Sequence, residues 1–542
     1  MEKQVTGIDY ETALANLRAS SLEMRTDLPP KDELLSRYHS DYQPSARVKL
    51  PIGPNAGDYC HPDLAKLLIS QPLIDDYDLS RAEHVHTDVL VIGGGGAGAA
   101  AALSASETGA RVMMANKLRI GDSNTVMAEG GIQAAVGAED SLQQHFDDTI
   151  KGGHNAAKKA LVAQMVTDAP SAIRWLIGLG MTFDLAQGAD SNGHLSRKRA
   201  GGTTVPRILH YRDFTGLEMM RVLREAVELD ENITQLNRHP AIELLSDEHG
   251  RCVGAILYDL EKRSLLLVHA KSVVLATGGS GRLHLQGFAT SNHYGATADG
   301  LVMAYRIGVK LRDVDSFQYH PTGVAHPPHL AGALISEAVR SAGTKLVNGL
   351  GERFVDELQP RDVVAAAILR EVAEGRGVVR DGQVGVFLDT PRLIENDPEV
   401  LNRLVTLGHV AHKCGVNPKV EPMMIHPTLH YQNGGMEINS DGSTTVPGLY
   451  AAGEVTGGIH GRNRLMGNAL LDIISFGRRA GVAAANCGLP LKKVRGGVDH
   501  VHDLQREMTR AGLTSDVKAP VLYPDYGTFD LREHAGLQEV QS

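Results

Sequence analysis

Short apolar runs closed by glycines set the rhythm of this chain. "TDVLVI" runs into "GGGGAG", "KSVVLA" into "TGGSG", and "TTVPGLYAA" into "GEVTGG". Unbroken apolar runs of that length suit strands buried on both faces. "AGAAAALSAS", behind the first glycine cluster, predicts a helix of small residues, and "ARVMMANK" a second strand. Strands that end in glycine turns, with helical stretches between them, predict a parallel α/β sheet. The long segment between the second strand and "KSVVLA" is expected to form a separate lobe. Residues 1–82, with "DLPPKDELL" and "YQPSARVKLPIGPN", read as one or two short helices joined by proline-bearing extended stretches, an arm wrapped on its own domain in preference to a docking segment for a partner. Beyond about residue 490 the chain is polar and reads as extended.

Composition narrows the class. The chain has 542 residues, too many for one ordinary core. Apolar residues are 42% and charged residues 22%, the profile of a globular protein. The formal net charge is -10 with no basic block, which argues against a nucleic-acid partner. Cys60, Cys252, Cys414 and Cys487 stand far apart and form no CxxC. A zinc site, an iron–sulfur cluster held by this chain alone and a disulfide framework are therefore not expected. No signal peptide or membrane-length apolar run is read, and the expected location is cytoplasmic, with peripheral attachment through a complex as the variant.

Candidate chemistry begins at "VIGGGGAG". It satisfies G-x-G-x-x-G with Gly93, Gly95 and Gly98, and sits between a strand and a helix, the context that gives the motif meaning. Gly93 permits the turn, Gly95 lets backbone N–H groups reach a pyrophosphate, and Gly98 lets helix and strand approach. The helix N-terminus adds partial positive charge for the phosphates. The acidic residue that usually follows the second strand is replaced by Asn116, whose amide still offers hydrogen bonds. "GDSNTVMAEGG", Gly121–Gly131, reads as a polar loop backed by paired glycines and pressed against the ligand.

Six ordered motifs extend the picture: "SNTVMAEGG", "VVLATGGSGRL", "GATADGLVMAYRIGVKLRDVDSFQYHPTG", "PRDVVAAAILRE", "PTLHYQNGG" and "GLYAAGEVTGGIHGRNRLMGNALLDIISFG". From about Thr87 to about Gly488 the chain resembles the flavoprotein subunits of succinate dehydrogenase and fumarate reductase, a family that includes L-aspartate oxidase. The resemblance implies a Rossmann-like α/β FAD-binding domain with an inserted α+β capping domain and a short, atypical C-terminal region. The divisions it suggests are an arm over 1–82, the FAD-binding domain over 83–315 and 426–490, the cap over 316–425, and an extension over 491–542.

By the same resemblance, FAD lies along Gly93, Gly95, Gly96, Gly98, Asn116, Lys117, Ser123, Asn124, Thr125, Gly130, Gly131, Ala276, Thr277 and Gly278. Asp299 and Glu454 hold its hydroxyls, and Asn468, Ala469 and Leu470 cap its ring system. Residues matching His320, Ser336, His430 and Arg464 bind the carboxylates of a C4 dicarboxylate. The family has Thr where Ser336 stands. Arg361 matches the residue that gives a proton to the substrate, and Glu337 and Arg340 match its relay. No metal site is implied.

Asn124 stands where the respiratory members carry a histidine bonded to the flavin. An amide cannot form that link, so FAD is expected to be non-covalent and fumarate reduction is favoured over succinate oxidation. The electron donor is expected to be an iron–sulfur subunit. One rival reading is L-aspartate oxidase, whose segment resembles "LSRKRAGGTTVPRILHYRDFTG". That enzyme, however, has glutamate where this chain has Ala200 before Gly201-Gly202. The other rival is an electron-transfer flavoprotein subunit without dicarboxylate chemistry.

Overall fold

The computed structural model describes residues 6–26, 28–74, 79, 82–186, 194–488 and 496–522. In it the glycine-ended runs lie side by side. Ala241–Ser246, Cys252–Asp259, Ser264–Leu275, Glu83–Ile92, Val112–Ala115 and Ile233–Leu236 follow one another in a seven-stranded sheet, and Leu449–Ala451 also pairs with Ser264–Leu275. The strands from Ser264–Leu275 to Ile233–Leu236 are parallel, as is Leu449–Ala451. Their register puts Ala115, Ile92, Leu275 and Ala451 in one row. Three glycine turns thus leave the carboxyl edge of the sheet together, where open α/β sheets place ligands.

Small residues decide the layer above. Helix Gly96–Glu107 crosses helix Asn468–Ala485 closely enough that a methyl on Gly477 would press the carbonyl of Ala97. The alanine-rich run therefore reads as a contact surface between backbones. The segment expected to form a separate lobe does not do so. Helix Lys159–Gly178 buries Leu161, Met165, Ile173 and Leu176 in the same core as the sheet strands. Its apolar stripe needs a partner, and the sheet body supplies one.

A second sheet forms the cap: Ile8–Asp9, Val378–Arg380, Gln383–Leu388, Met423–Gln432 and Phe317–Val324 in that order, with Leu346–Val347 paired to Gln383–Leu388. The division expected at 425/426 falls inside Met423–Gln432, which stays in the cap sheet. Helix Arg361–Ala373 packs its Val364, Ala367 and Ile368 into the cap core.

The N-terminal arm spans both lobes. Ile8 and Asp9 extend the cap sheet beside Val378 and Val379. Leu34 and Leu35 enter the cap core, whereas Leu50, Cys60, Leu64 and Leu68 enter the body core. At the other end the expected extended chain is corrected by a helix, Asp499–Arg510, which buries Val501, Leu504 and Met508. Three apolar residues at helical spacing suffice to seat an otherwise charged segment. The run beyond residue 522, including most of "PVLYPDYGTFDLREH", lies outside the described residues. No helix among the described residues is long and apolar enough to cross a membrane.

Candidate active site

One cavity of about 660 Å³ runs from the carboxyl edge of the large sheet to the underside of the cap. All but three of the expected cofactor and substrate residues line it; the exceptions are Gly98, Asn468 and Arg340.

The cofactor end is made largely of backbone. Gly93 has φ +115, and a methyl on it would strike the carbonyl of Ala276. Gly98 lies just behind, its Cα packed on the carbonyl of Gly93, so it serves packing. Gly95 is the N-cap of helix Gly96–Glu107, and no side chain caps that end. Its first-turn N–H groups are therefore available to phosphate oxygens, apart from that of Gly96, which bonds Thr125 Oγ1 at 3.1 Å. Thr277 Oγ1 and Asn116 Oδ1 are buried without a partner among the described residues. Both fit a dinucleotide's hydroxyls, which would satisfy them. Lys117 Nζ meets Asp299 at 2.9 Å, and Asp299 also accepts the N–H of Val521 at 3.1 Å.

Asn124 is clasped on both sides. Its Nδ2 donates to Asn292 Oδ1 at 2.7 Å and to Glu454 Oε2 at 3.2 Å, and its Oδ1 accepts the N–H of His293 at 2.7 Å. Glu454 also accepts the N–H of Gln432 at 3.0 Å. Burial raises its carboxyl, against these bonds. Asn468 turns away from the cavity: its amide binds His145 Nε2 at 2.9 Å and Thr149 Oγ1 at 3.0 Å. What faces the cavity there is Gly467, Ala469 and Leu470, at a helix end with no side-chain cap.

The other end is made of charged side chains from three segments. Arg361, at the start of its helix, is 7% exposed, so its charge must be matched inside the protein. Its Nε donates to Glu337 Oε2 at 2.7 Å and one Nη to Gln318 Oε1 at 3.0 Å. Glu337 Oε1 accepts the N–H of Gly201 at 2.9 Å, and Arg340 lies 3.2 Å from Glu337 Oε2. Burial works to raise Glu337, but Arg361 and Arg340 outweigh it and hold it down to about 2. Arg340 stands behind Glu337, away from the cavity, and donates to the carbonyl of Glu357.

His320 and His430 meet edge to face with ring centroids 5.0 Å apart. Burial and the neighbouring guanidiniums hold both well below the ordinary imidazole value, so both are neutral. Ser291 Oγ contacts His430 Nδ1 at 2.8 Å. Arg464 lies over the Tyr431 ring at 4.4 Å, and burial with Arg361 lowers it to about 10. Ser336 caps the helix Glu337–Ser341 by accepting the N–H of Ala338, and its hydroxyl can donate, with Glu129 beside it. Two guanidiniums, Arg361 and Arg464, line this end, and the one carboxylate paired to Arg361 is also paired by Arg340 from behind, so the lining carries an excess of positive charge. An anion of matching charge is the ligand such a pocket stabilises.

Sequence reasoning missed Glu129. It lines the cavity beside Ser336 and Thr406. Burial and the charge of Asp213 push its carboxyl up to about 8, and its Oε2 has no partner among the described residues. Its place just before Gly130-Gly131 was the available signal. Gln318 was also missed, although it stands two residues before His320 in the same strand.

Fold and site together define a dinucleotide-dependent oxidoreductase with a capped, cationic substrate pocket. The chain belongs to the FAD binding domain family, which matches residues 88–470. It is 37% identical to a component of fumarate reductase (CoM/CoB) from Methanothermobacter marburgensis, over 80% of this chain and 78% of that one. It is also 37% identical to L-aspartate oxidase from Streptomyces coelicolor, over 74% and 69%. Among solved structures it superposes on a variant of E. coli quinol fumarate reductase with a TM-score of 0.70 and 30% identity, covering 79% of this chain and 74% of that one. It is an FAD-dependent oxidoreductase whose relatives are fumarate reductase flavoprotein subunits and L-aspartate oxidases.

Proposed function

We propose that this chain is the flavoprotein subunit of a fumarate reductase-type enzyme, reducing a C4 dicarboxylate with non-covalently held FAD. The observation that carries the reading is the pair of cavity-lining guanidiniums, Arg361 and Arg464, facing an ionised Glu337 that Arg340 also pairs from behind. Bound FAD supplies hydride chemistry. The protein's own groups bind, orient and protonate. Arg464, His320, His430 and the Ser336 hydroxyl hold the two carboxylates, and orientation in a closed pocket lowers the barrier. Arg361 gives a proton from its guanidinium to the substrate carbon. Glu337, ionised at rest, passes a replacement proton from Arg340 to Arg361, and solvent re-protonates Arg340. The clasp on Asn124 supports a role in holding Glu454 and the flavin's surroundings without a covalent bond.

The four cysteines are free and scattered, so we assign electron delivery to a partner, an iron–sulfur subunit. L-aspartate oxidation is the second reading, favoured by the relatives. Against it, the loop at Ala200–Gly201 carries no carboxylate of its own for an ammonium and brings only a backbone N–H to Glu337. The deciding experiment assays the purified protein, with native partners, for fumarate reduction, succinate oxidation and L-aspartate oxidation. Turnover of L-aspartate and none of fumarate overturns the proposal. Denaturation is expected to release all FAD; flavin fluorescence left on the polypeptide in a denaturing gel removes the non-covalent part.

A further inference from the structure

Helix Val405–Lys413 belongs to the cap, with Leu407 and Ala411 in the cap core, and its last turn reaches the cavity through Val410 and Lys413. Its first turn lacks a local cap: Leu404 precedes it and offers no side-chain acceptor. The acceptor comes instead from the body. Asp213, 1% exposed, takes the N–H of Thr406 at 2.7 Å and its hydroxyl at 2.6 Å on the same oxygen. Asp213 sits just before helix Thr215–Leu229, which buries Met219, Val222 and Leu223 in the body core. A carboxylate anchored in one lobe thus does for a helix of the other lobe what an N-cap residue normally does.

We infer that Asp213 is a positioning residue for the dicarboxylate site: it latches the cap helix Val405–Lys413 onto the body and so holds the closed wall of the cavity. Three observations converge on it. The body loop leading to Asp213 makes two further bonds to the cap, from Gly201 N–H to Glu337 and from Ser341 to the carbonyl of Arg199. The latch lies beside Glu129 and Ser336 at the substrate end of the cavity. The helix fastened at its first turn brings Lys413, an exposed cation, to the cavity wall with its last turn. Opening the cap would hand Asp213 and the Thr406 N–H back to water. The bond to Thr406 is made only when cap and body meet and favours that arrangement, against the cost of burying Asp213 Oδ1, which has no partner among the described residues.

The inference rests on the dicarboxylate reading only for its kinetic arm. The test compares the full-length holoprotein with Asp213→Ala, Asp213→Asn and Thr406→Val by hydrogen exchange, FAD content and fumarate kinetics. In Asp213→Ala, exchange over 405–413 is expected to rise by about tenfold, the effect of losing one helix cap, while helix Gly96–Glu107 and FAD content stay unchanged. The KM for fumarate is expected to rise several-fold with kcat changed by less than about twofold, because substrate meets a looser wall and the proton donor is untouched. Asp213→Asn and Thr406→Val, which keep part of the bond, are expected to fall between wild type and Asp213→Ala. They also decide the matter if Asp213→Ala does not fold. Unchanged exchange over 405–413, or a rise spread evenly through the chain, overturns the latch. If fumarate is no substrate, the exchange result decides alone.

Discussion

The two ends of the cavity hold their ligands by different means. At the cofactor end the contacts come largely from backbone: a strand, a glycine turn and an uncapped helix end, all within a few residues of Gly93. At the capped end they come from side chains that are scattered from His320 to Arg464 and converge only when the cap sits on the body. The first end tolerates no added bulk. The second tolerates no misplaced charge. A cavity built this way can keep its cofactor while its substrate wall moves, because the phosphate-binding turn lies wholly in one lobe.

Substitutions can break that division. The largest effect is expected at Arg361. Arg361→Gln should lower kcat by about a thousandfold or more, the range for removing a positioned acid, with FAD still bound. Loss of FAD in that variant would mean the two ends are not independent. Gly98→Ala attacks the other end. Its methyl would overlap the carbonyl of Gly93, so a loss of about 1–3 kcal/mol in stability and a fall in FAD occupancy are expected. Unfolding by heat and the ratio of flavin to protein absorbance measure both.

A smaller effect separates two carboxyls within the capped end. Glu129, raised to about 8, keeps its proton more tightly folded than unfolded. The stability it lends is whole below the ordinary carboxyl value and is lost as pH climbs through 8. Glu337, where Arg361 and Arg340 outweigh burial, runs the opposite way: its contribution is whole above the ordinary value and is lost as pH falls through 2. Glu129→Gln should therefore abolish a fall of roughly 2–4 °C in Tm on passing from mildly acidic to mildly alkaline buffer, and leave the acid limb in place. A Tm that falls as steeply in the variant would locate the titrating group elsewhere.

Part of the site is legible in the residues alone. The glycine turn at Gly93–Gly98 is, because a backbone site and its motif are the same few residues. Asn468 is not: the helix start shows in the sequence, but its rotation turns the amide onto His145 and leaves Gly467 and Ala469 facing the cavity. Glu129 shows in the sequence only as the residue before Gly130-Gly131; burial beside Asp213 and Ser336 is what makes it unusual. The helix Asp499–Arg510 is hidden because three apolar residues in a charged run are a weak signal until the body offers a groove for them.

By itself the sequence determined the α/β class, the strand ends that carry the cofactor turn, the FAD family and the list of charged residues available to a substrate. Those depend on local pattern and on motifs contiguous in the chain. Only the tertiary structure decided that Glu337 is ionised, that both histidines are neutral, and that Arg340 stands behind Glu337. It alone decided that Asp213 of the body caps a helix of the cap. Charge state and contact depend on which groups lose water together, and that is settled when the two lobes close on each other.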